Sequence, residues 1–221
     1  MSNITYQYIK TNPTIKTYVE KADYVLNAMG YTEHSYAHVE YVAKNAAMIL
    51  DTLGYDERTV ELTKIAAYMH DIGNLVNRQG HAQHGAILAF NLLNEINVPP
   101  EEIAQIVSAI GHHDEGTAET LNPMICALII ADKTDVRRSR VRNMEPVSFD
   151  IHDRVNYAAE TSSVYFNPDD TALILDLVID TNISSVVEYF QIFLGRMMLC
   201  QKCALKLGIR FECIINGMKV M

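Results

Sequence analysis

The chain has 221 residues, 49% of them hydrophobic, and a formal net charge of −9 at neutral pH. That apolar content can fill a core, which excludes a disordered chain, and the acidic balance argues against general nucleic-acid binding, which relies on basic surface. No apolar run is long and uncharged enough to span a bilayer, and the opening MSNITYQYIK lacks the charged start and apolar centre of a signal peptide, so no membrane partner and a cytoplasmic location are expected.

In chain order, Pro13 to Met29 is periodic and stops at Gly30. Thr32 can cap a long helix through Leu53, which Gly54 ends. Asp56 can cap the next, running to Gly73, and His84 to Ile96 reads as another. Pro99 and Pro100 ahead of Glu101 and Glu102 start a helix, because proline fits the first turn and carboxylates favour its positive dipole end. Asn122 and Pro123 repeat that signal before a helix running to about Arg142.

Beyond Glu145 the pattern changes. Asp150 to Glu160 fits one more helix, Thr171 to Ile179 a β-branched strand, and Ile183 to Leu207 a long helix stopped by Gly208. Arg210 to Ile215 and Met218 to Met221 read as a hairpin around Asn216-Gly217. The expected fold is mainly α: a helical domain over residues 1–145 and a small α+β unit over 146–221 packed on it. The apolar stripe Val186, Val187, Tyr189, Phe190, Ile192, Phe193, Met197 and Met198 reads as core and leaves homodimerisation through it open. Four cysteines fit a reducing compartment. The Cys200-x-x-Cys203 pair lies within an apolar helical stretch and has no second pair at zinc spacing, so it reads as packing thiols.

The chemistry is carried by histidines. Six of eight fall between His38 and His113. A His-Asp dipeptide is weak by itself, and this chain has three, at residues 70–71, 113–114 and 152–153. His70-Asp71 stands out because it ends an apolar helix: adjacent helical residues point about 100° apart, so they converge on one ion best where the helix is ending. His38 lies upstream on the long helix. Asp132 ends the apolar run Ile125 to Ala131, where a carboxylate is costly unless paired or metal-bound. Together these residues offer ligand types suited to a borderline divalent ion.

With EHSYAHVEYVA, AAYMHDIGN and LIIADKTD as they stand, residues 33 to 142 resemble the HD superfamily of metal-dependent phosphohydrolases, defined by H…HD…D. HAQHGAILA resembles the H-x-x-x-G-A segment of the binuclear branches and selects His81 over His84; AIGHHDE resembles A-I-x-x-H and selects His113 over His112. The resemblance implies a helical HD bundle with metal ligands His38, His70, Asp71, His81, His113 and Asp132. Asp71 is then the expected bridge between two divalent ions, with Fe or Mn ahead of Zn, Co, Ni or Mg. Such a pair activates a water for attack on phosphorus.

Directly after Asp132, the stretch KTDVRRSRVR holds five cations in ten residues. On a continuing helix Lys133, Arg137 and Arg140 share one face, a reasonable phosphate clamp beside the metals; a solvated basic face paired with Asp135 is an equal alternative for the arginines. Lys133 also resembles the ADK lysine of related hydrolases, and with Asp71 it takes the catalytic roles. Asn74 either orients substrate or caps a helix end, and His112 either binds substrate, replaces His113 or faces solvent. His34 and His152 read as ordinary surface residues.

The expected substrate is a small phosphorylated molecule of nucleotide type. The loop after GHHDE, GTAETLNP, lacks the G-Y-P of the cyclic-dinucleotide branch, and the Glu-Asp pair of guanosine-tetraphosphate hydrolases has no counterpart. HAQHGA and ADK are similar to the dinucleoside-polyphosphate branch, which is not expected to carry a β-containing C-terminal unit. Two other readings stay open: a mixed-valent di-iron oxygenase on the same ligand set, and a non-catalytic nucleotide-binding sensor.

Overall fold

A computed structural model of the chain describes residues 4–142 and 151–221. The first part is helical: α1 (Tyr6–Thr11), α2 (Pro13–Ala28), α3 (Tyr36–Thr52), α4 (Glu57–Met69), α5 (His81–Glu95), α6 (Pro100–Gly111) and α7 (Pro123–Lys133). Each boundary has a local cause. Asn12 Oδ1 accepts from the amides of Thr14 and Ile15, which opens α2 and separates it from α1, a helix the sequence pattern did not reveal. Asp56 caps α4, and Asn122 caps α7. Helix α7 is apolar on every side and packs against α3, α4, α6 and the C-terminal unit.

Four expected boundaries move. Ser35, not Thr32, caps α3. Helix α4 stops at Met69, and residues 72–75 form a 3-10 turn instead of its continuation to Gly73. Helix α5 begins at His81 rather than His84, after Gly80 in a left-handed conformation (φ 72°). Helix α7 ends at Lys133, well short of Arg142: Thr134 Oγ1 donates back to Ile130 O, and Arg137 is extended because the Asp135 and Arg140 side chains are drawn to the start of α3.

The C-terminal unit comprises α8 (Ile151–Ala158), β1 (Ala159–Phe166), β2 (Ala172–Ile179), α9 (Val186–Lys206), β3 (Arg210–Ile215) and β4 (Met218–Lys219). The sheet order is β1-β2-β3-β4; β2 and β3 are parallel and joined through α9, while the other two pairs are antiparallel. Strand β1 was not expected, because AETSSVYF is too polar to show an apolar alternation. The expected Asp150–Glu160 helix is the shorter α8; the 145/146 boundary and residue 150 lie outside the described residues.

Helix α9 opens with a capping box between Ser185 and Glu188. It turns Tyr189, Phe193, Met197, Cys200, Cys203 and Ala204 inward, so one continuous apolar cluster runs from the helical part into this unit. Val187 and Met198, read as core, face solvent. All four cysteines are free and buried. Among the described residues, no helix is long and apolar enough to cross a membrane.

Candidate metal centre

Four histidines converge through the same device: the Nδ1 of each ring is anchored, which aims its Nε2 inward. His70, at the end of α4, donates from Nδ1 to Ala67 O at 2.7 Å. His81 does so to Arg78 O at 3.0 Å, and His113 to Ile110 O at 2.7 Å. His38, in α3, donates instead to the Asp135 carboxylate at 2.8 Å. A carbonyl oxygen can only accept, so each of those three Nδ1 atoms carries the proton and each Nε2 presents a lone pair.

The carboxylates sit among these lone pairs. Asp71 Oδ2 lies 3.6 Å from His38 Nε2 and 3.1 Å from His70 Nε2. Its Oδ1 faces the other way, 3.6 Å from His81 Nε2 and 3.9 Å from His113 Nε2. Asp132 Oδ1 is 3.3 Å from His38 Nε2 and 3.7 Å from His70 Nε2. The donor atoms form three overlapping groups able to hold an ion, each within 4.8 Å: His38–His70–Asp71, His70–His113–Asp132 and Asp71–His81–His113.

The donor set fits a divalent cation on its own chemistry. His38 Nε2 and His70 Nε2 are buried without a hydrogen-bond partner. His81 Nε2 and His113 Nε2 face each other at 3.2 Å although both rings hold their proton on Nδ1, an arrangement that repels unless a cation or an extra proton lies between. Burial opposes a charged His70 ring, but Asp71 and Asp132 outweigh it and push its pKa up to about 10, so Nε2 takes a second proton unless a cation occupies its lone pair. Burial likewise opposes ionisation of Asp71, yet His70 beside it holds the carboxyl well below its usual range. The pocket therefore draws positive charge.

Two glycines allow this convergence. A Cβ on Gly73 would lie 1.9 Å from His81 O and 2.3 Å from the Gly85 amide nitrogen. A Cβ on Gly85 would lie 3.1 Å from His70 O. The turn after His70-Asp71 can approach the start of α5, and bring His81 against Asp71, only because both side chains are missing.

The remaining sequence-predicted residues fall in different places. Asn74 donates from Nδ2 to Asp71 Oδ1 and to Asp71 O, both at 2.9 Å, so its amide holds the carboxylate. Lys133 is buried and bracketed by Asp132 Oδ2 at 2.8 Å and Glu115 Oε2 at 2.6 Å. Because α7 ends there, Arg137 and Arg140 do not share a helical face with it. Arg137 grips Asp135 with Nε at 2.5 Å and Nη2 at 2.9 Å and lies over the Tyr41 ring. Arg140 donates to Glu33 O and Asp135 O. His112 is the C-cap of α6 and belongs to none of the three groups.

A cavity of about 440 Å³ opens onto Asp71, His81 and Asp132. Its wall includes His34 and His152, read from the sequence as plain surface residues. His34 packs edge-to-face on His38 with ring centroids 5.3 Å apart. The most informative residue overlooked is Asp135, which fixes the His38 ring; its signal lay in the second aspartate of LIIADKTD.

Residues 35–140 match the family model of the HD domain. The chain contains an HD domain. Its HD domain therefore spans α3 to the end of the Arg138–Arg140 turn and contains all six convergent side chains. An uncharacterized protein of Methanocaldococcus jannaschii is 29% identical over 160 residues, 62% of this chain, and the match spans about three-fifths (61%) of that relative's length. A crystal structure of a predicted HD superfamily hydrolase from an uncultured Thermotogales bacterium matches at 21% identity and a TM-score of 0.42, over 59% of this chain and 73% of that one.

Proposed function

We propose that this HD-domain protein is a metal-dependent phosphohydrolase that holds two divalent ions between His38, His70, Asp71, His81, His113 and Asp132. The observation that carries the reading is the division of Asp71, whose Oδ2 faces His38 and His70 while Oδ1 faces His81 and His113. A carboxylate placed so suits a bridge between two ions. Ions held there would polarise phosphoryl oxygens and lower the pKa of a coordinated water.

The net reaction joins a water oxygen to phosphorus as the bond from phosphorus to the leaving oxygen breaks, and the departing oxygen takes a proton. The chain's own groups set the stage. Asn74 holds Asp71, Asp135 holds His38, and Lys133 holds Asp132 against Glu115. Lys133, Arg78, Arg140 and Arg196 line the cavity beside Asp71, Asp132, Asp135 and Asp153, and ions held there would add the positive charge that draws an anionic substrate. A volume of about 440 Å³ suits a small phosphorylated molecule of nucleotide size.

The test is phosphate release from a panel of nucleotides, dinucleoside polyphosphates and simple phosphomonoesters, with anaerobically purified chain supplied with Mn or Fe, and oxygen uptake recorded in parallel. Metal-dependent phosphate release without oxygen uptake is expected. Oxygen uptake with a carbon-bond cleavage product would establish the oxygenase instead, and nucleotide binding with neither activity would establish the sensor.

A further inference from the structure

The cavity wall carries four cations, and they differ in how far each is already neutralised. Lys133 lies between two carboxylates, and Arg196 donates from Nε to Glu115 at 3.0 Å. Arg140 has Nε and Nη1 bound to the carbonyl oxygens of Glu33 and Asp135, with the Asp135 carboxylate 3.7 Å away. Arg137, the other arginine singled out from the sequence, is held bidentate by Asp135 and is not part of the wall.

Arg78 is different. Its contacts are neutral: Nη1 donates to Asn74 Oδ1 at 3.3 Å, and the guanidinium lies over the Tyr31 ring at 5.5 Å. Among the described residues no carboxylate lies within ion-pair distance of it. A half-buried guanidinium at a cavity wall is costly without a counter-charge, so its charge is available to an anion that enters.

Its placement is fixed by the candidate ligands themselves. The Arg78 carbonyl accepts from His81 Nδ1 at 3.0 Å, and Asn74, on which its guanidinium rests, holds Asp71. One segment thus sets His81, Asp71 and Arg78 together. We infer that Arg78, rather than the Arg137 side, is the clamp for the oxygens of a phosphate bound beside the metal centre. A guanidinium can present paired N–H groups to two phosphate oxygens, which an ammonium cannot do. The inference rests on the proposed reading for the chemical class of its ligand.

The experiment measures inorganic phosphate binding by calorimetry to the metal-loaded full chain and to Arg78→Ala, Arg78→Lys and Arg137→Ala, with metal content determined on the same samples. Loss of a charge-assisted clamp weakens phosphate by about tenfold to a hundredfold in Arg78→Ala. Metal content is expected to be unchanged in the Arg78 variants, Arg78→Lys to be intermediate, and metal-loaded Arg137→Ala to lose less phosphate affinity than Arg78→Ala. Parent-like binding by Arg78→Ala, an equal loss in Arg137→Ala, or loss of metal from Arg78→Ala would each overturn the assignment. Failure of the parent chain to turn over any phosphoester, with Arg78-dependent phosphate binding intact, would overturn the hydrolase reading and leave the clamp standing.

Discussion

Asp135→Asn isolates the claim that the histidines are held as ready ligands. Asp135 accepts the His38 Nδ1 proton at 2.8 Å and is itself gripped by Arg137 at 2.5 and 2.9 Å. An asparagine there removes the charge and can offer an N–H to Nδ1, which moves the ring proton to Nε2, the atom aimed at Asp71 and Asp132. Changes to such supporting partners cost about 10- to 100-fold in metal affinity, or about 1.4 to 2.7 kcal/mol. The variant also leaves Arg137 and Arg140 without their shared carboxylate, so its fold is checked separately by denaturant unfolding. The assay is competition of Mn or Zn against a chelator of known affinity. A folded Asp135→Asn chain that binds metal as tightly as the parent would show that Asp135 does not hold His38 as a ligand.

Other consequences are equally direct. Gly73→Ala forces a Cβ into backbone of α5 and is expected to destabilise the fold by about 3 kcal/mol or more. Gly54→Ala, which meets nothing within 4 Å and suffers only its φ of 76°, is expected to cost about 1–2 kcal/mol; urea unfolding of the two variants gives the ranking. Because ions bind the native cluster and not the unfolded chain, removing metal from a protein saturated at about a hundred times Kd lowers stability by about 2.7 kcal/mol. For a chain of this size that is a fall in Tm of about 5–11 °C, read by thermal denaturation with and without chelator. An unchanged Tm would mean that the cluster holds no ion that supports the fold.

Much of the helical part was legible because its signals are local. Asn122-Pro123 and Asp56 open helices by their own side chains, and the apolar run before Asp132 marked a buried helix ending in a carboxylate. The convergence of His38, His70, Asp71, His81, His113 and Asp132 followed from motif order in the HD resemblance rather than from periodicity. What escaped was set by distant contacts. Helix α7 stops at Lys133 because Asp135 is drawn to His38 in α3 and Arg140 to Glu33 ahead of it, so the basic run that looked like one face of a helix became a brace for His38. Strand β1 escaped because it is held by its pairing with β2 and not by its own polar residues. His34 looked like surface because only the folded chain lays it against His38.

Division of two ions by Asp71 is tested by metal content per chain in anaerobically purified protein, repeated on His81→Ala and His113→Ala. These histidines face Asp71 Oδ1, while His38 and His70 face Oδ2. Close to two ions are expected in the parent and close to one in each variant. One ion in the parent, untouched by either substitution, would contradict that division.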